Sequence, residues 1–226
     1  MQKRSIVITV AVVALMVFGV GAFVFKNNVG KNSEAQPQAS ANIAVNVENN
    51  TLIRPHSPIM GPENAPVTIV EFFDPSCESC RAFYPIVKEV LNRYPDDVRL
   101  VLRYAPFHQG SDEAVGIIEA ARLQNVFVPV LEALLEKQPQ WAVHGAPNLN
   151  LAWNIAAQAG LNVEKAKKDL ATINVSSILE QDVADIRTNN VNGTPTFFIN
   201  GTRLTSLGQK QLNDAVDNQI ALIQSR

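Results

Sequence analysis

The 226-residue sequence has only two cysteines, Cys77 and Cys80, three positions apart. A structural disulfide framework needs more cysteines spread along the chain, so that class of small secreted scaffold is excluded. Excess charge of one sign is also missing: 19 basic residues face 21 acidic ones, for a net charge of −2. No Lys/Arg cluster occurs beyond Lys3 and Arg4, which excludes a nucleic-acid surface. Histidine is scarce, and His56, His108 and His144 are scattered. A structural zinc site needs four ligands, so this inventory predicts neither a metal site nor a bound cofactor. A lone Cys pair three apart closes too short a loop to stabilise a fold by chain entropy. The pair is left as a redox couple.

The sequence is 46% hydrophobic, enough for one sizeable core with appendages. The first apolar run extends from Ile6 to Phe25, broken only by Thr9 and two glycines. Twenty helical residues span about 30 Å, the thickness of a bilayer core. Lys3 and Arg4 favour a cytoplasmic N-terminus with the body outside. An uncleaved signal-anchor fits the length of the run, and a cleaved signal peptide fits the small residues Val20-Gly21-Ala22. Both readings export the body to a compartment where disulfides persist. Residues 26–57, rich in Asn, Ala, Gln and Ser, read as a flexible tether. Pro55, Pro58 and Pro62 mark the approach to the folded domain, 58–226.

Within that domain, Val67–Phe73 reads as a buried strand, residues 77–94 as a helix, and Val98–Tyr104 as a second strand. Such a strand–helix–strand run predicts parallel pairing. Helical patterns then dominate, at Glu113–Gln124, Val128–Glu136, Leu149–Ala159, Val163–Leu170 and Asn174–Thr188. Trp141 and Trp153 are expected to pack within this helical insertion, about residues 107–188. Strand signals return at Pro195–Ile199 and Thr202–Leu204, joined by Asn200-Gly201, whose type I′ turn needs positive φ at both residues. Gln209–Ile223 closes the chain as an amphipathic helix. The class is α/β.

Cys77-Glu78-Ser79-Cys80 follows a strand and opens a helix. Unsatisfied N–H groups and the positive end of the helix dipole stabilise a thiolate there. Cys77 is therefore expected to be exposed, low in pKa and nucleophilic. Cys80, one turn deeper, is expected to resolve the mixed disulfide. The second unusual element is Thr194-Pro195 at a strand start. A proline there is either an ordinary strand-start residue or a cis peptide that leaves the Thr194 backbone open to a passing peptide.

Two motifs, Glu71–Cys80 and Gly193–Gly201, resemble the DsbA-like branch of the thioredoxin superfamily, in particular its exported, disulfide-formation-protein-D-like members. The resemblance covers about residues 58–223. It implies a thioredoxin-like fold with an inserted helical domain, a cis Pro195 beside the cysteines, and a groove at Thr194 that takes substrate polypeptide as an added strand. It implies that Glu71, an acid in an apolar strand, lies under the site and handles the Cys80 proton, whereas by its residues alone Glu71 either carries a raised pKa or turns out to solvent. It also implies that Glu78 and Ser79 tune the redox potential. The Glu78 carboxylate should oppose the Cys77 thiolate by like-charge repulsion and make a weaker oxidant than the most oxidising relatives. His108, after the second strand, either faces the site or is solvated. Phe73 and Phe83 should form core around the cysteines.

These readings describe a bacterial cell-envelope thiol–disulfide oxidoreductase, on the periplasmic or extracytoplasmic side and held to the inner membrane by residues 6–25. Its partners would be exported polypeptides and a membrane redox partner. That partner is a quinone-linked oxidase if the protein donates disulfides, or a transmembrane reductant carrier if it reduces them. Two rivals stay open: a copper(I)-binding protein using both thiolates, and a peptide-binding chaperone with secondary redox activity.

Overall fold

The computed structural model describes residues 51–225. The membrane-crossing segment expected at 1–25, and residues 26–50 of the expected tether, lie outside the described residues. Among the described residues no helix is long and apolar enough to cross a membrane.

Five strands form one mixed sheet in the order β1-β3-β2-β4-β5, with β1 at Ile59–Met60, β2 at Val67–Phe73, β3 at Val98–Tyr104, β4 at Thr196–Ile199 and β5 at Thr202–Arg203. Helix α1, Glu78–Arg93, connects β2 to β3, which pair in parallel from Val67↔Val98 to Phe73↔Tyr104. Six helices then lie between β3 and β4: α2 Ser111–Leu123, α3 Phe127–Glu136, α4 Gln138–Trp141, α5 Leu149–Gln158, α6 Val163–Leu170 and α7 Val175–Thr188. Strand β4 returns antiparallel to β2, β5 pairs with β4 through Asn200-Gly201 at φ of 45° and 81°, and α8, Gln209–Gln224, follows.

Every residue of β2 is buried, so the period-two alternation of a strand sends side chains into two cores. Val67, Ile69 and Phe73 join the large core with α1, Cys77 and Cys80. Val70 and Phe72 join a smaller core on the opposite face with Val101, Ile186 and Phe198. Glu71 has the parity of the first set, so its position on the strand aims it toward α1 and the cysteines. The helix boundaries differ from the sequence expectations by one or two residues at most ends, as frayed termini do. Trp141 is fully buried and donates its indole N–H to the Leu134 carbonyl at 2.8 Å. Trp153 donates to Glu113 at 2.8 Å.

Two short elements escape periodic patterns: β1, set between prolines and paired antiparallel with β3, and α4, whose Pro139 occupies the first turn, where a missing N–H costs nothing. The chain before β1 also departs from expectation. Residues 51–57 dock on the folded body instead of continuing a tether. They meet a buried charge cluster behind the sheet. The Arg103 guanidinium, fully buried on the back face of β3, donates to Asp182 and Asp185 of α7, each at 2.6 Å, and to the Thr51 carbonyl at 2.7 Å. Arg54 makes a two-pronged contact with Asp185 at 2.7 and 2.8 Å, and His56 meets Asp182 at 2.7 Å. Sequence composition could not foresee this, because the partners lie more than 120 residues apart.

Removing one side of a buried ion pair leaves an uncompensated charge and costs about 3–5 kcal/mol. Arg103→Met removes the central cation of the cluster and leaves Asp182 and Asp185 with only His56 and Arg54 at its edge. Its melting temperature, followed by circular dichroism, should fall by about 6–20 °C for a chain of this size. A fall under about 2 °C would show that the cluster contributes little.

Candidate active site

The site forms where the loop after β2 turns into α1. Cys77 is the residue that caps α1, with extended φ and ψ of −81° and 122°, and its side chain makes no capping bond. The sulfur is therefore free for chemistry while the first-turn N–H groups point toward it. Both cysteines are free thiols here. Cys80 is wholly buried; Cys77 is the less covered sulfur but is only 6% exposed, which corrects the expectation of an exposed nucleophile. The cover comes from the β4 approach: the Cys77 thiol donates to the Thr194 carbonyl at 3.3 Å. The Thr194–Pro195 peptide is cis, with Thr194 half-buried and Pro195 buried.

The two sulfurs are driven apart in acidity. The Cys77 pKa falls to about 5, chiefly because the Cys80 thiol donates to its thiolate. Burial opposes that fall, while the Thr194 side chain and the backbone N–H groups of Cys80 and Ser79 assist it. Burial pushes the Cys80 thiol well above its ordinary value, and the neighbouring Cys77 and Glu71 push it further. The Asp74 N–H donates to the Cys80 sulfur at 3.5 Å.

Glu71 does not turn to solvent. It is 1% exposed, and neither carboxylate oxygen has a hydrogen-bond partner among the described residues. Desolvation, helped by the Cys77 charge, raises its pKa to about 8. A carboxyl that no group satisfies is neutral at pH 7 and able to exchange a proton in that range.

Glu78 behaves differently from the simple like-charge picture. Its Oε1 lies 2.8 Å from His144 Nε2, both side chains being more than half exposed. Its pKa is lowered, first by its own backbone N–H and, against some burial, by His144 and His108. Glu78 is not among the groups that shift Cys77. The Glu78 carboxylate is engaged by its own backbone N–H and by His144. Ser79 is exposed, and its contribution to the Cys77 thiolate is made through its backbone.

Several residues that hold the site carried no signal in the sequence. Asp74, fully buried, accepts from Ser76 N at 2.8 Å, Phe107 N at 2.8 Å, His108 N at 3.0 Å and the Ser111 hydroxyl, and meets His108 Nδ1 at 2.7 Å. It ties the cysteine loop to the loop after β3. His108 consequently faces the site. Burial disfavours its charge, but the Asp74 carboxylate outweighs this and raises its pKa. The Gln138 amide of α4 donates to the Pro75 and Cys77 carbonyls at 2.8 and 3.0 Å, and its oxygen accepts from Arg81 at 3.1 Å. Asp74-Pro75 reads in sequence as a strand stop, and Gln138 as one more polar residue. Only the fold brings them to the cysteines. Phe73 is buried in the same core as both cysteines, while Phe83 is half-buried and stacks on Phe197 with centroids 5.7 Å apart.

A thioredoxin family model matches residues 54–218. A thioredoxin-like oxidoreductase from Silicibacter pomeroyi DSS-3 is 30% identical, with 75% of this chain and 96% of that chain covered at a TM-score of 0.65. The α-DsbA1 protein of Wolbachia pipientis shares the fold at 17% identity, with 77% and 97% covered and a TM-score of 0.67. A Na(+)/H(+) antiporter NhaA of Herminiimonas arsenicoxydans is 34% identical over 146 residues, 65% of this chain. This chain spans only 22% of that relative's length, so the shared part is about a fifth of the longer protein. With the family match running from before β1 into α8 and the mixed sheet carrying the cysteine pair at the start of α1, the chain belongs to the thioredoxin family.

Proposed function

We propose that this protein is an extracytoplasmic thiol–disulfide oxidoreductase that exchanges disulfides with exported polypeptides, and that it works best as a disulfide donor. The observation that carries the reading is the unequal placement of one cysteine pair: Cys77 sits at the start of α1 against the Thr194 carbonyl and Cys80 lies wholly buried beneath it, which lowers the pKa of the first and raises that of the second. A stabilised thiolate favours the reduced form, and a favoured reduced form makes the disulfide a readier oxidant. In this reading the Glu78 carboxylate, engaged by its own backbone N–H and by His144 at 2.8 Å, does not cancel the stabilisation of the Cys77 thiolate at the helix start.

In this reading a substrate thiolate attacks Cys77 of the disulfide form. Cys80 leaves as a thiolate and takes up a proton, for which Glu71 is the adjacent source. A second substrate thiol then attacks the mixed disulfide, forming the substrate disulfide and releasing the Cys77 thiolate. Two electrons pass from substrate to protein, and a membrane oxidase must remove them to complete the cycle. The Thr194 backbone, beside Cys77, would align the substrate as an added strand against Pro195. The apolar run Ile6–Phe25 supports export and retention at the inner membrane.

The reduction potential of the full chain in glutathione buffers tests this. A value above about −180 mV is expected, between the potentials of protein disulfide isomerase and DsbA. A value below about −230 mV would refute donation and make the protein a reductase supplied by a transmembrane carrier.

A further inference from the structure

Beside the cysteines, three side chains from three separate segments converge: Glu78 at the start of α1, His108 after β3, and His144 after α4. A ligand atom from each lies within 4.8 Å of the others. The two imidazole centroids are 5.2 Å apart, although the residues are 36 positions apart in sequence (108 to 144). From these we infer that Glu78, His108 and His144 form a site for a divalent transition-metal ion, zinc in the first instance, at the mouth of the active site.

The donor set is two ring nitrogens and one carboxylate oxygen, a combination zinc accepts as three protein ligands with a fourth position open. Zinc bonds of about 2.0–2.2 Å place tetrahedral ligands roughly 3.3 Å apart. The Glu78–His144 contact is already 2.8 Å, and both side chains are exposed enough to swing onto a common ion. His108 is held as metal-binding histidines usually are. Its Nδ1 meets the buried Asp74 carboxylate at 2.7 Å, which fixes the ring and presents Nε2 outward. Asp74 is itself fixed by four further donors, so the orientation is built in. Arg81, which lines the same cleft, is turned onto Gln138 at 3.1 Å. No cysteine is needed for this site, which separates it from a thiolate copper site. Cys77 is nonetheless next in the chain to Glu78 and its charge reaches His108, so an ion held there would lie close enough to hinder attack on the sulfur.

The test uses the full-length protein, freed of metal and oxidised to the Cys77–Cys80 disulfide, titrated with Zn²⁺ by calorimetry and with Co²⁺ as a visible-band probe. Binding of one ion per chain is expected, weakened at least about tenfold in both His144→Ala and Glu78→Gln. Both changes lie on exposed side chains, and circular dichroism checks the folding of each variant. Zinc should also slow alkylation of reduced Cys77 at least about tenfold, and much less in His144→Ala. Absence of saturable binding, or affinity unchanged in both variants, overturns the site. So does binding seen only in the reduced protein and lost in Cys77→Ser, which would assign the metal to the cysteines. Binding to the oxidised protein requires no exchange activity, so failure of this site and failure of the proposed function are distinguishable.

Discussion

Substitution of Cys80 by serine should trap the protein in mixed disulfides through Cys77, and substitution of Cys77 should reduce exchange to the uncatalysed rate. The asymmetry follows from position. Cys77 is the less covered sulfur and the one ionised at neutral pH, whereas Cys80 is sealed in the core. A partner molecule therefore meets Cys77 first, and only Cys80 is placed to release it from within. The trapped species are read on a non-reducing gel with a peptide disulfide as partner. Trapping through the Cys80 sulfur in Cys77→Ser, at the same rate, would reverse the assignment. The acidity can be measured separately, as the pH dependence of Cys77 alkylation. Its midpoint should fall near 5. At pH 5 an ordinary thiol of pKa about 8.5 is about 0.03% ionised, some 1,600-fold less than a half-ionised Cys77. The lower nucleophilicity of an acidic thiolate returns about 40-fold of that at a Brønsted slope near 0.45. Cys77 should still react about 40 times faster than the ordinary thiol at that pH. A midpoint above 8 would remove the basis for disulfide donation.

How much of this was legible before the fold was known depends on the range of each interaction. Strands β2 and β3 and helix α1 are carried by local periodicity, and their bounds follow from it closely. Cys77 and Cys80 are legible for the same reason, since strand, loop and helix start are contiguous in the chain. Glu71 was legible as an anomaly, an acid in a run of apolar residues, and the alternating pleat then fixes which core it faces. The clamp around the cysteine loop was not. Asp74 reaches Ser111 across 37 residues, and Gln138 reaches Cys77 across 61. Nothing local distinguishes such a residue from a solvated one. The same limit hid the docking of residues 51–57, whose polar composition reads as tether because their partners sit on α7. It also made His108 and His144 read as unrelated. Glu78 illustrates a different failure. Its neighbour in sequence, Cys77, suggested repulsion alone, but its own backbone N–H and a neighbour in space, His144, lower its pKa.

Glu71 carries the second large prediction, in which stability and activity move in opposite directions. Its carboxyl is buried with no hydrogen-bond partner among the described residues, so ionising it in the fold is costly. In the unfolded chain it ionises near 4.5; in the fold it holds its proton to about 8. Between those values the unfolded state binds fewer protons than the folded one, so this residue costs stability increasingly as pH rises. Below pH 4.5 the cost vanishes, and above 8 it is constant. At pH 7 the difference amounts to about 3 kcal/mol. Glu71→Leu should therefore stabilise the reduced protein by up to about 3 kcal/mol at pH 7 in urea unfolding, and by little at pH 4. Part of the shift comes from the Cys77 charge, so the gain should shrink in the disulfide form, where that thiolate is absent. The cost is retained because Cys80 must exchange a proton inside a dry core: Glu71 gives it when Cys80 leaves during donation, and takes it back when Cys80 attacks to release a mixed disulfide. Cys80 ionises with difficulty, and Glu71 is the carboxylate whose charge reaches its sulfur. Glu71→Gln keeps the shape but cannot accept that proton. Single-turnover release of a mixed disulfide should slow about a hundredfold, the lower range of general acid–base effects. Its pH profile should also lose the inflection near 8. Attack at Cys77 itself, read by alkylation at pH 7, should change little, because that thiolate is already formed. A variant that released substrate at the normal rate, or that showed no pH-dependent gain in stability, would reduce Glu71 to a packing residue.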